Sequence, residues 1–66
     1  MTTYKPSENV YVGGLYWHEI IVHDISIYVV VEVNSVKNGK IAEINLYGDT
    51  NCFWVLFDQL LTKEIS

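Results

Sequence analysis

Residues 27–47 read IYVVVEVNSVKNGKIAEINLY. Apolar side chains occupy every second position over residues 27–33, and the same alternation returns over residues 41–47. A period of two is typical of strands with one buried face. The Asn-Gly dipeptide at 38–39 is a strong turn signal between them. These residues therefore predict two antiparallel strands joined by a tight turn.

The strand pattern extends toward the N-terminus. Residues 15–23 are rich in β-branched and aromatic side chains, which predicts strands near 15–23, 26–34 and 40–47. A weak Asp/Ser turn signal at 24–26 separates the first two. The pair Gly13-Gly14 predicts a tight hairpin in which residues 10–12 pair with the strand that follows.

Residues 50–62 allow two interpretations. Apolar residues at helical spacing and a capping Asp or Thr predict a C-terminal helix. Six consecutive apolar residues at 52–57 include poor helix formers, which favours a strand followed by one tight turn at 57–60. The leading prediction is an all-β fold, a small antiparallel barrel. The alternative is α+β, an antiparallel meander with one C-terminal helix at about 50–62.

Two short strings resemble a known family of folds. Residues 44–50, INLYGDT, are similar to the strand and Tyr-Gly turn of Tudor domains, and residues 53–60, FWVLFDQL, resemble a closing strand that runs into a 3₁₀ turn. Both are features of Src-homology-3-like (SH3-like) barrels, which include Tudor and KOW modules. The Tudor resemblance implies an aromatic cage for methylated lysine or arginine, with Tyr47 at the motif position and Tyr16 or Trp17 as a second wall. The KOW resemblance implies a nucleic-acid-binding module that uses basic residues.

The composition predicts one domain, residues 1–66, with residues 1–8 as a flexible N-terminal arm. Half of the 66 residues are apolar, which is more than one small core can bury. We therefore expect an apolar surface patch that binds a protein partner or forms a homo-oligomer. The expected core combines strand residues with Phe53, Phe57 and one tryptophan, and its strand members are Ile20, Val22, Val29, Val31, Ile44 and Leu46.

The charge balance argues against a nucleic-acid partner. Eight acidic residues stand against four lysines, and the chain contains no arginine, the usual reader of phosphate and guanine. A net charge of −4 repels polyanions and favours a basic protein partner. The acids are scattered singly, which is typical of a solvated surface.

We expect a cytoplasmic protein. Charged and histidine residues interrupt the apolar stretch 15–33, so it cannot span a membrane. Residues 1–9 lack the apolar segment of a signal peptide. Cys52 is the only cysteine, which excludes an internal disulfide, and its apolar neighbours predict a buried, inert thiol.

The sequence predicts no catalytic residues, no metal site and no cofactor, and therefore no enzyme. His18 and His23 are five positions apart in a β-rich segment, so they point to opposite faces of a strand and cannot share an ion. Cys52 has no histidine near it in sequence to act as a base. Gly13-Gly14 lacks the Lys-Ser pair of a phosphate loop.

The leading functional hypothesis is a small non-catalytic protein-binding module, an inhibitor or adaptor of the kind found in phages and mobile elements, acting on a host protein. The alternatives are an acidic nucleic-acid mimic that blocks a DNA- or RNA-binding enzyme, and a KOW- or Tudor-type recognition module. Large rings with acids at their rim form the expected interface. Its members are Tyr16, Trp17, Tyr28, Tyr47, Trp54, Glu19, Glu43 and Asp49.

Overall fold

A computed structural model describes residues 1–65, and Ser66 lies outside the described residues. The chain forms six strands and one 3₁₀ turn, Phe57–Gln59. The strands are β1 (Thr2–Pro6), β2 (Leu15–Val22), β3 (Ile25–Lys37), β4 (Ile41–Leu46), β5 (Cys52–Leu56) and β6 (Leu61–Ile65). The all-β prediction is confirmed. The alternative helix at about 50–62 is wrong, because that segment contains β5, the 3₁₀ turn and the start of β6.

The strands form one antiparallel sheet in the order β1-β6-β2-β3-β4-β5. The observed pairing leaves β1 and β5 as edges and does not show the closed barrel that we expected. Strand β6 meets β2 through a single residue pair, Trp17 and Leu61. The sheet can therefore bend sharply between these two strands.

The two central hairpins follow from their turn residues. Strands β2 and β3 are joined by His23 and Asp24, both with positive φ (51° and 64°), as a type I′ turn requires. This turn lies just before the expected position at 24–26. Strands β3 and β4 are joined through the Asn38-Gly39 turn, as predicted, also with two positive φ values (58° and 63°). Strand β3 bends at a β-bulge between Val33 and Ser35.

The core lies on one face of the curled sheet. Its buried members come from β3, β4, β5 and the residue after the 3₁₀ turn, and they are Val31, Val33, Ala42, Ile44, Val55 and Leu60. His18 and Asn45 are the buried polar residues of the described chain. No helix among residues 1–65 has the length and apolar character needed to cross a membrane.

The N-terminal segment differs from the expectation. Residues 2–6 are not a flexible arm but strand β1, which pairs with β6 from Thr2 opposite Ile65 to Pro6 opposite Leu61. The expected hairpin at Gly13-Gly14 is also wrong. Residues 10–12 form no strand, and the two glycines instead exchange backbone hydrogen bonds with Val33 on β3.

Several burial expectations are wrong for one physical reason, which is the position of each residue in the sheet. Val22 is exposed because the tip of the β2–β3 hairpin extends beyond the core. Phe53 and the Cys52 thiol are exposed because β5 is an edge strand with a neighbour on one side only. Neither tryptophan is buried: Trp17 is half-buried and Trp54 is exposed.

Candidate protein-binding surface

Three rings from three strands meet on the face of the sheet opposite the core. We call Tyr4, Trp17 and Tyr28 the outer aromatic cluster. Tyr4 stacks on Tyr28 with ring centroids 3.8 Å apart and planes at 5°, and it meets Trp17 edge-on at 5.7 Å. An edge-to-face pair such as Tyr4–Trp17 contributes about 0.5–1.5 kcal/mol beyond area burial, whereas the close, parallel Tyr4–Tyr28 stack contributes mainly through the area that it buries.

Strand pairing fixes which face these rings occupy. Residues directly opposite each other in a sheet project from the same face. Trp17 is opposite Val30, and Tyr28 is opposite Glu19. The intervening positions carry the core-side residues, such as His18 opposite Val29. Because side chains alternate between the two faces of a strand, Trp17, Tyr28 and Glu19 project from the face opposite the core.

Lys63 adds a cation to the cluster. It is opposite Tyr4 in the β1–β6 pair, and its Nζ lies 4.9 Å from the centroid of the Trp17 ring. The negative face of an indole attracts a cation at this distance. The Trp17 ring is therefore placed and oriented to hold a positive charge.

The cluster also shows how the sheet is bent. Tyr4 belongs to β1, three positions from β3 in the strand order, yet its ring stacks on Tyr28 of β3. In a flat sheet strands three positions apart lie about 14 Å from each other. The β1–β6 ribbon must therefore fold toward β3 at the single Trp17–Leu61 link.

The expected interface residues do not form one patch. Trp17, Tyr28 and Glu19 lie together on the outer face as described. Trp54 is opposite Glu43, at the β4–β5 edge of the sheet. Glu43 is in turn opposite Ser35, five residues along β3 from the Val30 that is opposite Trp17. The expected interface residues therefore fall on two separate surfaces, one around Trp17 and one around Trp54.

Tyr16 was expected at the interface but lies on the core side of β2 and packs against the core. Its hydroxyl donates to the carbonyl of Asn9 at 3.1 Å and accepts from the N–H of Tyr11 at 2.9 Å. These bonds tie down the 9–14 loop. Tyr16 is therefore a structural residue.

Tyr47 and Asp49 lie in the turn after β4. Tyr47 is 68% exposed, and its N–H bonds the carbonyl of Val30. This places it beside Val30, at the margin of the outer aromatic cluster. The Asp49 carboxylate accepts from the N–H groups of Thr50 and Asn51 at 2.7 and 3.3 Å, so it shapes the turn.

The geometry bears on the aromatic cage that the Tudor resemblance implies. Tyr16 and Trp17 are consecutive on β2 and project from opposite faces. Tyr16 points to the core, so of these two residues only Trp17 is on the face that Tyr47 borders. Trp17 on β2 and Tyr47 in the turn after β4 are therefore the neighbours of Val30 on its two sides.

The acidic residues do not form a row. Glu19, Glu32 and Glu43 lie on the outer face, opposite Tyr28, Asn45 and Ser35 respectively. The other acids lie in loops and turns or, for Glu64, in an exposed ion pair with Lys5 at 3.1 Å.

The two histidines and the cysteine each have separate surroundings. His18 donates from Nδ1 to the carbonyl of Gln59 at 3.0 Å and packs beside the Phe53 ring, whereas His23 lies in the hairpin turn. Cys52 contacts the Asn34 amide and the carbonyl of Thr50. No group of three metal-ligating side chains occurs within residues 1–65.

A surface depression of about 530 Å³ lies between the 7–11 segment and β6. The Ser7 and Thr62 hydroxyls are 2.8 Å apart at its wall, and Lys5 and Glu64 form their ion pair beside it. These polar groups bond each other and present no convergent set of free groups to a ligand.

Tyr4 is the cluster residue that sequence reasoning missed. It lies in TTYKP, residues 2–6. Two β-branched residues before a tyrosine are a weak strand signal.

Comparisons with family models, with curated proteins and with solved structures gave no match to this chain.

Proposed function

We propose that this chain is a small non-catalytic protein-binding module whose outer aromatic cluster receives a basic segment of a partner protein. The observation that carries the proposal is the group of three rings outside the core, with the Lys63 ammonium already over Trp17. A lysine or arginine of a partner would take that position on the indole ring. Rings of this kind are favoured at binding surfaces because they give contact area at low entropy cost.

The charge of the chain supports a basic partner. The net charge is −4, and Glu19 lies directly opposite Tyr28 on the same face. An acidic rim raises the association rate of a positively charged partner and makes that rate depend on salt. The resemblance to SH3-like barrels stays a proposal about the fold. It is supported by the passage from β5 through a 3₁₀ turn into β6, and it carries no functional conclusion.

The test is a selection of displayed random peptides against the purified protein, followed by binding measurements with the enriched peptides. We expect these peptides to be rich in lysine and arginine and to bind less tightly as salt increases. In a Trp54→Phe background, Trp17 is the only indole, so binding should change its fluorescence.

Matched variants locate the binding surface. Tyr47→Ala should weaken peptide binding, whereas Tyr11→Ala, which truncates an equally exposed tyrosine in the 9–14 loop, should not. Glu19→Gln should reduce the salt dependence, and Glu8→Gln should leave it unchanged. Peptides that bind with no change in Trp17 fluorescence, or no enrichment at all, would refute the proposal.

A further inference from the structure

Strand β5 is an open edge of the sheet. It pairs with β4 from Cys52 opposite Asn45 to Leu56 opposite Ile41, and no strand within residues 1–65 pairs with its other side. An exposed edge offers unpaired backbone groups to another chain. This surface is separate from the outer aromatic cluster.

The hydrogen-bonding pattern identifies which backbone groups are free. The N–H of Phe57 bonds the carbonyl of Lys40 at 2.9 Å. Because bonded positions alternate along an antiparallel pair, Val55 and Phe53 also bond toward β4. The N–H and carbonyl groups of Cys52 and Trp54 therefore point to the open side.

The two edges of the sheet differ in their protection. Strand β1 carries Lys5 and Pro6, and charged side chains and proline are the usual features that prevent edge-to-edge pairing. Strand β5 reads CFWVL and has neither. Its exposed side chains are large and apolar: Phe53 is 40%, Trp54 49% and Leu56 52% exposed.

We propose that β5 pairs with β5 of a second copy of this chain, antiparallel, with the two-fold axis at Trp54. In this register the two Trp54 residues exchange N–H and carbonyl groups, and Cys52 is opposite the partner's Leu56. All of these positions have outward-pointing backbone groups, so the bonded positions match. The interface is self-complementary, as a closed two-fold dimer requires.

Gln59 restricts the pairing to the strand itself. Its side-chain oxygen Oε1 accepts from the N–H of Leu56 at 2.9 Å. That N–H is therefore already bonded, and the carbonyl of Leu56, which begins the 3₁₀ turn, keeps a second lone pair that can accept from the partner's Cys52. The bonded register ends at this residue, beyond which the chain turns into Phe57–Gln59.

The charges around β5 are complementary under this two-fold axis. Lys40 lies beside the C-terminal end of β5, whereas Asp49 lies in the turn before its N-terminal end. Antiparallel pairing brings Lys40 of one copy toward Asp49 of the other, twice. Asp58 is at the Lys40 end as well, and Lys37, opposite Ile41, supplies a second cation there.

The apolar area that β5 offers limits the size of the interface. The exposed parts of Phe53, Trp54 and Leu56 offer on the order of 100 Å² each. Both copies together would bury roughly 600 Å² of side-chain surface, about half of the ~1,200 Å² at the lower end of stable interfaces. An interface below the usual size range predicts a weak, concentration-dependent dimer, for which we expect a dissociation constant on the order of 10–100 µM.

The first experiment measures mass by sedimentation equilibrium between ~10 µM and ~1 mM, which brackets that dissociation constant. We expect a monomer–dimer equilibrium. Trp54→Lys places two like charges on the axis and should weaken the dimer at least about tenfold. Ile21→Lys adds the same charge at an exposed apolar residue of the β2–β3 hairpin and should leave the dimer unchanged.

The second experiment tests the register by disulfide trapping. Leu56→Cys in the native background places the new thiol opposite the partner's Cys52, in a bonded pair with Cα atoms about 5.5 Å apart, within the range of a disulfide. Mild oxidation should give covalent dimers, and adding Cys52→Ser should abolish them. The unmodified protein should not crosslink, because its two Cys52 residues lie at opposite ends of the paired strands.

Three results would overturn the proposal: a wild-type chain that stays monomeric at ~1 mM, a dimer that Trp54→Lys weakens no more than Ile21→Lys does, or no crosslinking of Leu56→Cys. Thermal melting of each variant verifies that it is folded. Because Trp54 is outside the core, its substitution should not unfold the chain.

Discussion

Asn45 shows how a single polar residue closes a turn. It lies on the outer face of β4, where the alternation predicts an exposed side chain, yet it is buried. Its amide nitrogen donates to the carbonyls of Leu46 and Asp49, and its oxygen accepts from the amide of Asn34. Burial comes from the 47–51 turn folding back on the strand, which a local pattern cannot predict.

We expect Asn45→Ala to lower the free energy of unfolding by about 1–3 kcal/mol, because the carbonyls that it satisfies would lose their partner. Urea denaturation measures the change. Asn51→Ala is the matched control, since that side chain is exposed and makes one long contact with Asp49, and it should cost less than about 0.5 kcal/mol. Equal midpoints for the two variants would show that the Asn45 bonds are not needed for the turn.

Among the strands and turns, the sequence predicted those that are determined by patterns of neighbouring residues. Strands β2, β3 and β4 and the Asn38-Gly39 turn match closely, because alternation and turn chemistry are both written within a few residues. Strand β1 was missed because its partner β6 lies at the other end of the chain. The Gly13-Gly14 hairpin was wrong because the glycines bond Val33, a distant residue that no local signal reveals.

Tyr4 should hold β1 in place. Its ring contacts both Trp17 and Tyr28, while the neighbouring strand β6 is tied to β2 by one residue pair. We expect Tyr4→Ala to reduce hydrogen-exchange protection of the β1 amides while the β3 and β4 amides keep theirs, because local opening of an edge is independent of the core.

Tyr4→Phe is the control for this experiment, since it keeps the ring and removes only the hydroxyl. It should leave the protection of β1 as in the wild type. If β1 amides exchange at the same rate in Tyr4→Ala and Tyr4→Phe, pairing with β6 alone accounts for the order of the N-terminus.

At the scale of the whole molecule, the exposed apolar residues outnumber the buried ones. Six apolar residues form the buried core, whereas fourteen large apolar side chains of the described chain are exposed. Composition predicted this surplus, because a chain of this length has little interior. Composition could not predict where this surplus lies. The fold places part of it in the 9–14 loop and near the two chain ends, and the rest on the outer face, the β5 edge and the β2–β3 hairpin, so that Trp54 is separated from Trp17.

Such a molecule should respond very differently to truncation of a core residue and of a surface ring. Ile44 is fully buried at the centre of β4, and Tyr47 follows the same strand but is exposed. Ile44→Ala should cost about 2–5 kcal/mol, comparable to the roughly 3–5 kcal/mol that stabilises a domain of this size. We therefore expect that variant to be largely unfolded at room temperature by circular dichroism.

Tyr47→Ala should shift the melting temperature by less than about 4 °C, since each kcal/mol corresponds to about 4–8 °C in a chain this small. A large loss of stability in Tyr47→Ala would mean that its ring covers the core, and it would remove Tyr47 from the proposed binding surface.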